Sequence, residues 1–123
     1  MRVFVYGTLM RGEANHRLLR GSQFVGAAKT VRGFCLFDHG PFPAMVRMGD
    51  GVVSGEVFEI REGVLGALDR LEGYPTLYGR ELIDLDDGSQ AIAYVQNGER
   101  VRGRPRIDGG DWRLREDKDL RLW

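Results

Sequence analysis

Two stretches of this chain carry residue types that could do chemistry. The first is Val3-Phe4-Val5-Tyr6-Gly7-Thr8-Leu9. A run of β-branched and aromatic residues stops at Gly and a small hydroxyl residue. That is the pattern of a buried strand ending in a turn, with backbone N–H groups exposed at its carboxyl end. Such a turn can hold an anion. The second is Glu62–Glu72, which reads as a helix closed by Gly73 with Pro75 just beyond. At about 100° per residue, Val64, Leu65, Ala67, Leu68 and Leu71 form one apolar stripe. Glu72 falls inside it, between Leu68 and Leu65, while Asp69 falls just outside and Arg70 lies on the polar side. Desolvation disfavours an inward carboxylate, and so does the negative end of the helix dipole, by about 0.3–1 kcal/mol. Both raise its pKa toward the range where a carboxylate takes and returns a proton near neutrality. The alternative is that the last turn frays and Glu72 swings out into solvent.

Other chemistries find less support. His16 and His39 are the only histidines and Cys35 is the only cysteine, all far apart, so no metal-ligand spacing and no Ser-His-Asp or Cys-His set is present. Thr8 as a nucleophile needs a base, and none adjoins it in sequence. Cys35, between Phe34 and Leu36, reads as a small core residue. Glu56 reads as a strand acid paired with an arginine. Glu13 and Asn15 read as capping residues of a first helix, His16 as a solvent-facing helix residue, and His39-Gly40-Pro41 as a turn.

These residues have to be positioned by a frame in which turns alternate with short apolar runs. Strand one is Arg2 to Tyr6, and a short helix spans about Ala14 to Leu19, ended by Gly21. Phe24 to Ala28 and Lys29 to Phe37 read as a bent or bulged strand pair with Gly33 as the irregularity. Pro41 and Pro43 keep the next segment extended, as a rigid wall against the core or a pocket. Asp50-Gly51 reads as a hairpin turn feeding Val52 to Ile60, whose apolar residues on both faces place it inside the sheet. Tyr78 to Leu85 and Ala91 to Val95 form a hairpin about Asp87-Gly88. Beyond Asn97, the alternating Arg100, Arg102, Arg104 and Arg106 read as the solvated face of an edge strand or as a phosphate-binding strand, ahead of a charged tail ending in Trp123. The whole is a single α+β domain with no internal repeat.

Bulk composition narrows the function. The 123 residues suffice for one core that buries about two-thirds of the unfolded surface. Eighteen basic side chains balance 18 acidic ones, which argues against nucleic-acid and membrane-surface partners. No apolar run nears the ~18 residues of a membrane span, and the N-terminus is too weakly apolar for a signal peptide. A lone cysteine fits a reducing compartment. The expectation is a cytosolic, metal-free monomer.

Taken in order, Tyr6-Gly7-Thr8-Leu9 after a first strand, Gly12-Glu13-Ala14-Asn15-His16, Gly55-Glu56-Val57-Phe58 and Leu68-Asp69-Arg70-Leu71-Glu72-Gly73-Tyr74-Pro75, followed by Tyr78-Gly79-Arg80, resemble the gamma-glutamylcyclotransferase-like family. Its short gamma-glutamylamine cyclotransferase branch is the nearest match. The resemblance runs from about residue 3 to residue 95, and the stretch from Asn97 matches little. It implies a small α+β fold around a closed or nearly closed mixed β-barrel, with a pocket at one end. It implies that Tyr6, Gly7, Thr8 and Leu9 bind the γ-glutamyl part of a substrate, that Glu72 is the acid/base, and that no cofactor is needed. Tyr6 and Tyr78 become pocket walls and Arg80 a partner for a substrate carboxylate. The implied reaction releases an amine from a γ-glutamyl amide and forms 5-oxoproline. The alternative on the same fold is a module that binds a γ-glutamyl group or another small carboxylate without turnover. The amine stays open: a lysine side chain, a free amino acid, a polyamine or an aminoglycoside-like amine.

Overall fold

Val3, Phe4 and Val5 are buried on both faces because their strand, β1 (Arg2–Val5), is the middle of a five-stranded sheet. A computed structural model describes residues 1–115; the rest of the charged tail, with Trp123, lies outside the described residues. The elements in order are β1, β2 (Gln23–Lys29), β3 (Cys35–Asp38), β4 (Pro43–Val46), β5 (Ser54–Glu59), helix α1 (Glu62–Glu72), β6 (Gly79–Asp84) and β7 (Gln90–Val95). The sheet order is β2-β5-β1-β7-β6, with β1 and β7 parallel and the other pairs antiparallel. Its two edges meet: Thr30, just past β2, bridges Leu85, just past β6. The Val31 amide donates to the Asp84 carbonyl at 3.1 Å and the Asp86 amide to the Lys29 carbonyl at 2.9 Å. The sheet therefore curls into a nearly closed mixed barrel, as the motifs imply, and one α-helix completes an α+β fold. Closure removes the exposed edge that a five-stranded sheet would otherwise present.

The hairpin of β3 and β4 packs against the barrel, its Met45 carbonyl accepting from the Gln96 amide at 2.8 Å. Three sequence expectations change here. The tight turn lies at His39–Phe42, between β3 and β4, not at Asp50-Gly51. The Gly51 carbonyl is taken by the amides of Gly33 and Phe34, so that segment crosses from one sheet to the other. The bulge falls between Phe24 and Gly26 within β2, and Gly33 lies in the connection that follows. The first helix is only a 3-10 turn, His16–Leu19.

The stretch beyond Asn97 is not an edge strand. It makes a 3-10 turn at Gly98–Val101 and then runs irregularly, since Gly103 and Pro105 interrupt any ladder. All four arginines are exposed, while Val101, Ile107 and Trp112 are buried in the core. Ile107 donates to the Leu36 carbonyl at 2.8 Å, and the Gly110 carbonyl accepts from Ser54 at 2.8 Å. This segment thus closes one side of the barrel. Trp112 is 2% exposed, with its indole N–H on Glu13 Oε1 at 3.2 Å. Replacing it with Ala is expected to cost about 3–5 kcal/mol. Urea unfolding monitored by far-UV circular dichroism checks this; a loss under about 1 kcal/mol would mean the segment is peripheral to the core.

Candidate active site

The turn after β1 is shaped by what stands behind it. Gly7 is required there by Pro43: a Cβ on residue 7 would lie 2.4 Å from the Pro43 ring. Pro43 is the first residue of β4, so the proline-stiffened wall expected from sequence packs directly on the turn. The Gly7 carbonyl accepts from Met10 at 3.1 Å and the Thr8 carbonyl from Asn15 at 2.8 Å, which curls the loop back on itself. Asn15 Nδ2 also donates to Thr8 Oγ1 at 2.9 Å, and the His16 ring Nδ1 bonds the Leu9 carbonyl at 2.9 Å. Neither side chain plays the part expected of it. Asn15 makes no capping bond from its side chain, and His16 is half-buried beside Phe58. Among the described residues, no acceptor takes the amide N–H of Thr8 or Leu9.

Helix α1 brings the carboxylate. Leu68 is fully buried, Val64 and Leu65 pack against the core, and Leu71 at the C-terminal end is exposed. Gly73 ends the helix in the left-handed conformation, φ 64°, and its amide donates back to Arg70. Glu72 stays half-buried instead of fraying outward. Among the described residues it has neither a hydrogen bond nor an ion pair. Burial alone pushes its carboxyl up from the ordinary 4.5 to about 7.

Glu72 and the turn share one cavity of about 170 Å³. It is lined by Tyr6, Gly7, Thr8, Leu9, Tyr78 and Glu72, all named from sequence. Arg80 is not among its walls. Its guanidinium is held by Asp69 Oδ2 and lies over the Tyr74 ring, so it is not free to meet a substrate carboxylate. Asp69, read as lying just outside the stripe, turns inward and also accepts from Tyr94 Oη at 2.6 Å. Tyr94 and Asn15 line the cavity and were not anticipated. For Tyr94 the signal was present, since a tyrosine in the apolar run Ala91–Val95 needs a buried partner for its hydroxyl. For Asn15 nothing in the sequence separated a cap from a cavity residue.

The hydroxyls of the three tyrosines lining the cavity are all engaged. Tyr6 donates to the Tyr94 carbonyl at 2.7 Å and Tyr78 to the Pro43 carbonyl at 2.8 Å. Burial first, and then the charge on Glu72 among other groups, pushes both phenols well above their usual range. The same two influences, with Asp69 between them in weight, raise Tyr94. These walls therefore stay neutral. No histidine or cysteine lines the cavity, and the Thr8 hydroxyl faces an amide rather than a base. Among the described residues no cluster of three or more His, Cys, Asp or Glu is placed to hold a metal ion, and no helix is long and apolar enough to cross a membrane.

The frame is a nearly closed mixed barrel with a mostly apolar cavity, in which one carboxylate and two backbone amides have no partner among the described residues. The chain belongs to the gamma-glutamyl cyclotransferase, AIG2-like family, whose profile matches residues 3–114. It is 41% identical over 110 residues to a gamma-glutamylcyclotransferase-family protein of Vibrio cholerae, covering 89% of this chain and 93% of that one. It is 35% identical over 118 residues to the Escherichia coli K12 gamma-glutamylcyclotransferase family protein YtfP, covering 96% of this chain and 100% of that one. The fold is similar to the crystal structure of an AIG2-like protein from Mus musculus, with a TM-score of 0.77 and 27% identity over 95% of this chain and 97% of the other. The family profile extends through the arginine-rich stretch and Trp112, where the sequence motifs offered little.

The raised pKa of Glu72 has a consequence for stability. An acid whose folded-state pKa is raised keeps its proton longer in the native chain, which binds more protons than the unfolded chain between 4.5 and about 7. Stability therefore falls as pH rises through that window, and Glu72→Gln is expected to remove that fall. Urea midpoints measured from about pH 4 to about pH 8 check this. The variant should gain on the wild type as pH rises, whereas a pH-independent difference would return Glu72 to an ordinary carboxyl.

Proposed function

We propose that this chain is a γ-glutamyl amide cyclotransferase: it releases an amine, closes the glutamyl group to 5-oxoproline, and uses Glu72 as general acid and base. The observation that carries the reading is the unpaired Glu72 carboxylate, with a pKa near 7, in one cavity with the unbonded amides of Thr8 and Leu9. No protein nucleophile is needed, because the substrate's own α-amine attacks its δ-carbonyl. That suits a cavity whose one hydroxyl from Ser or Thr, on Thr8, accepts from the Asn15 amide. Closing a five-membered ring from a held conformer converts the step into an oriented intramolecular one, worth up to about 7–11 kcal/mol.

Two protons have to be managed. The α-amine must lose one to attack, and the amide nitrogen must gain one to leave. A carboxylate near pKa 7 can accept the first and donate the second. The N–Cδ bond of the ring forms, the Cδ–N bond of the amide breaks, and the proton from the α-amine finishes on the departing amine, so no water is consumed. Negative charge on the tetrahedral oxygen and on the substrate α-carboxylate calls for N–H donors, which Thr8 and Leu9 can supply; losing one such donor typically costs about 2.7–4 kcal/mol of barrier. Tyr6, Tyr78 and Tyr94 give rigid neutral walls to the folded γ-glutamyl chain.

Chromatographic assay of 5-oxoproline from a γ-glutamyl amide tests the reading. Wild type should release it, with kcat/KM rising with pH through an apparent pKa near 7 as Glu72 ionises. Glu72→Gln should fold and lose at least about 100-fold in rate. Full activity in that variant would sink the assignment of Glu72. Binding of 5-oxoproline without turnover of any γ-glutamyl amide would mark a binding module instead.

A further inference from the structure

The most exposed residues lining the cavity are Phe42, Leu71 and Leu77, at 39%, 39% and 47% exposure. They come from three parts of the chain: the β3–β4 turn, the end of α1 and the connection to β6. The Tyr6–Leu9 turn, which also lines the cavity, is buried apart from the half-buried Thr8. The cavity thus has a buried, amide-bearing floor and an apolar mouth, with the half-buried Glu72 beside Leu71. Single exposed apolar side chains are ordinary on a protein surface, but three converging on one opening mark a binding patch.

The mouth is also built. Leu77 donates its amide to the Gly73 carbonyl at 2.8 Å, and its side chain packs where a Cβ on Gly73 would stand, 2.9 Å away. Phe42 is stacked on His39 with ring centroids 5.5 Å apart and 9° between planes, and the His39 ring bonds the Arg100 carbonyl at 3.0 Å. Among the described residues no Lys, Arg or His lines the cavity, and no acid does except Glu72. Arg80 is paired with Asp69, and Arg100 lies outside the lining with one bond to the Thr76 carbonyl at 3.4 Å.

We infer that the amine this chain releases carries an uncharged apolar substituent, a short alkyl or aryl group that lies against Phe42, Leu71 and Leu77. The inference rests on the cyclotransferase reading above. With the γ-glutamyl half on the floor and the scissile amide at Glu72, only the amine substituent can reach the mouth. An amino-acid carboxylate there would meet no cation in the lining and would share the cavity with the negative Glu72. A second ammonium, as in a diamine, would be carried past Glu72 to lie among Phe42, Leu71 and Leu77, whose side chains offer no acceptor. Burying a polar group unpaired is costly, whereas an alkyl or aryl group gains from every methylene it removes from water.

The test compares 5-oxoproline release from γ-glutamyl-n-butylamide, γ-glutamyl-benzylamide, γ-glutamyl-methylamide, γ-glutamyl-alanine and γ-glutamyl-putrescine. The butyl and benzyl amides should exceed the alanine and putrescine compounds in kcat/KM by about tenfold or more. Leu77→Ser and Phe42→Ser, both at exposed positions, should each lower the butylamide-to-methylamide ratio several-fold. Leu77→Asp should shift preference toward putrescine. Equal or better turnover of γ-glutamyl-alanine, or a butyl-to-methyl ratio unmoved in both serine variants, overturns the inference and leaves the cyclotransferase reading standing. No 5-oxoproline from any of the five overturns that reading and this one with it.

Discussion

One carboxylate, Asp69, seats helix α1 on the barrel. It accepts from Tyr94 Oη of β7 and from the Arg80 guanidinium of β6, so a single side chain ties the helix to two neighbouring strands. Glu72 lies three residues on, on the adjoining part of the same face. The seat therefore fixes where Glu72 sits. Arg80 is held by Asp69 and stays out of the cavity walls. An opposite charge beside a carboxylate lowers its pKa by about one to three units. Among the described residues Glu72 has no such partner, and burial sends its pKa up instead of down.

The cavity walls follow the same logic of satisfied and unsatisfied groups. Tyr6, Tyr78 and Tyr94 donate their hydroxyls to the Tyr94 carbonyl, the Pro43 carbonyl and Asp69. Their hydrogen-bonding capacity is spent on holding β1, β4, β7 and α1 in register, so they serve the cavity as walls more than as donors. Among the described residues, the Thr8 and Leu9 amides and the Glu72 carboxylate remain uncommitted. A buried donor or acceptor without a partner costs about 1–3 kcal/mol. Leaving three together in one small space is a concentration of that cost that a ligand can relieve.

Much of this was legible in the chain. The bounds of α1, the αL glycine after it, the two-faced burial of β5 and the hairpin at Asp87-Gly88 follow from periodicity and turn chemistry, which are local. The inward Glu72 was legible for the same reason, because helical phase alone places it. What was not legible depends on long-range pairing. The Asp50-Gly51 dipeptide has hairpin chemistry, yet its carbonyl is taken up by Gly33 and Phe34, nearly twenty positions earlier. Arg80 sits next to the family motif and reads as a free cation until the distance to Asp69 is known. The arginine-rich stretch alternates like a strand but is broken by Gly103 and Pro105, and its buried anchors, Val101, Ile107 and Trp112, are too far apart to show a period.

Burial by itself does not single out the reactive acid, as Glu56 shows. At 2% exposure it is buried in the middle of β5, and on that measure it would outrank Glu72. Its oxygens are already occupied: Oε1 accepts from the Arg11 amide at 2.8 Å, while Oε2 accepts from Arg11 Nε at 3.1 Å and lies 3.5 Å from Arg113 Nη1. Arg113 also donates to the Arg11 carbonyl, and Glu13, which accepts from the Trp112 indole, lies between them in the same cluster. This network binds the loop after Leu9 to β5 and to the Trp112 segment, and that loop returns Asn15 to Thr8. Glu56 thus works as an anchor for the Tyr6–Leu9 turn, with both its oxygens already taken. Glu72 is the less buried acid and has no partner among the described residues, and it is that pairing difference, rather than depth, that separates a structural carboxylate from one that can move a proton.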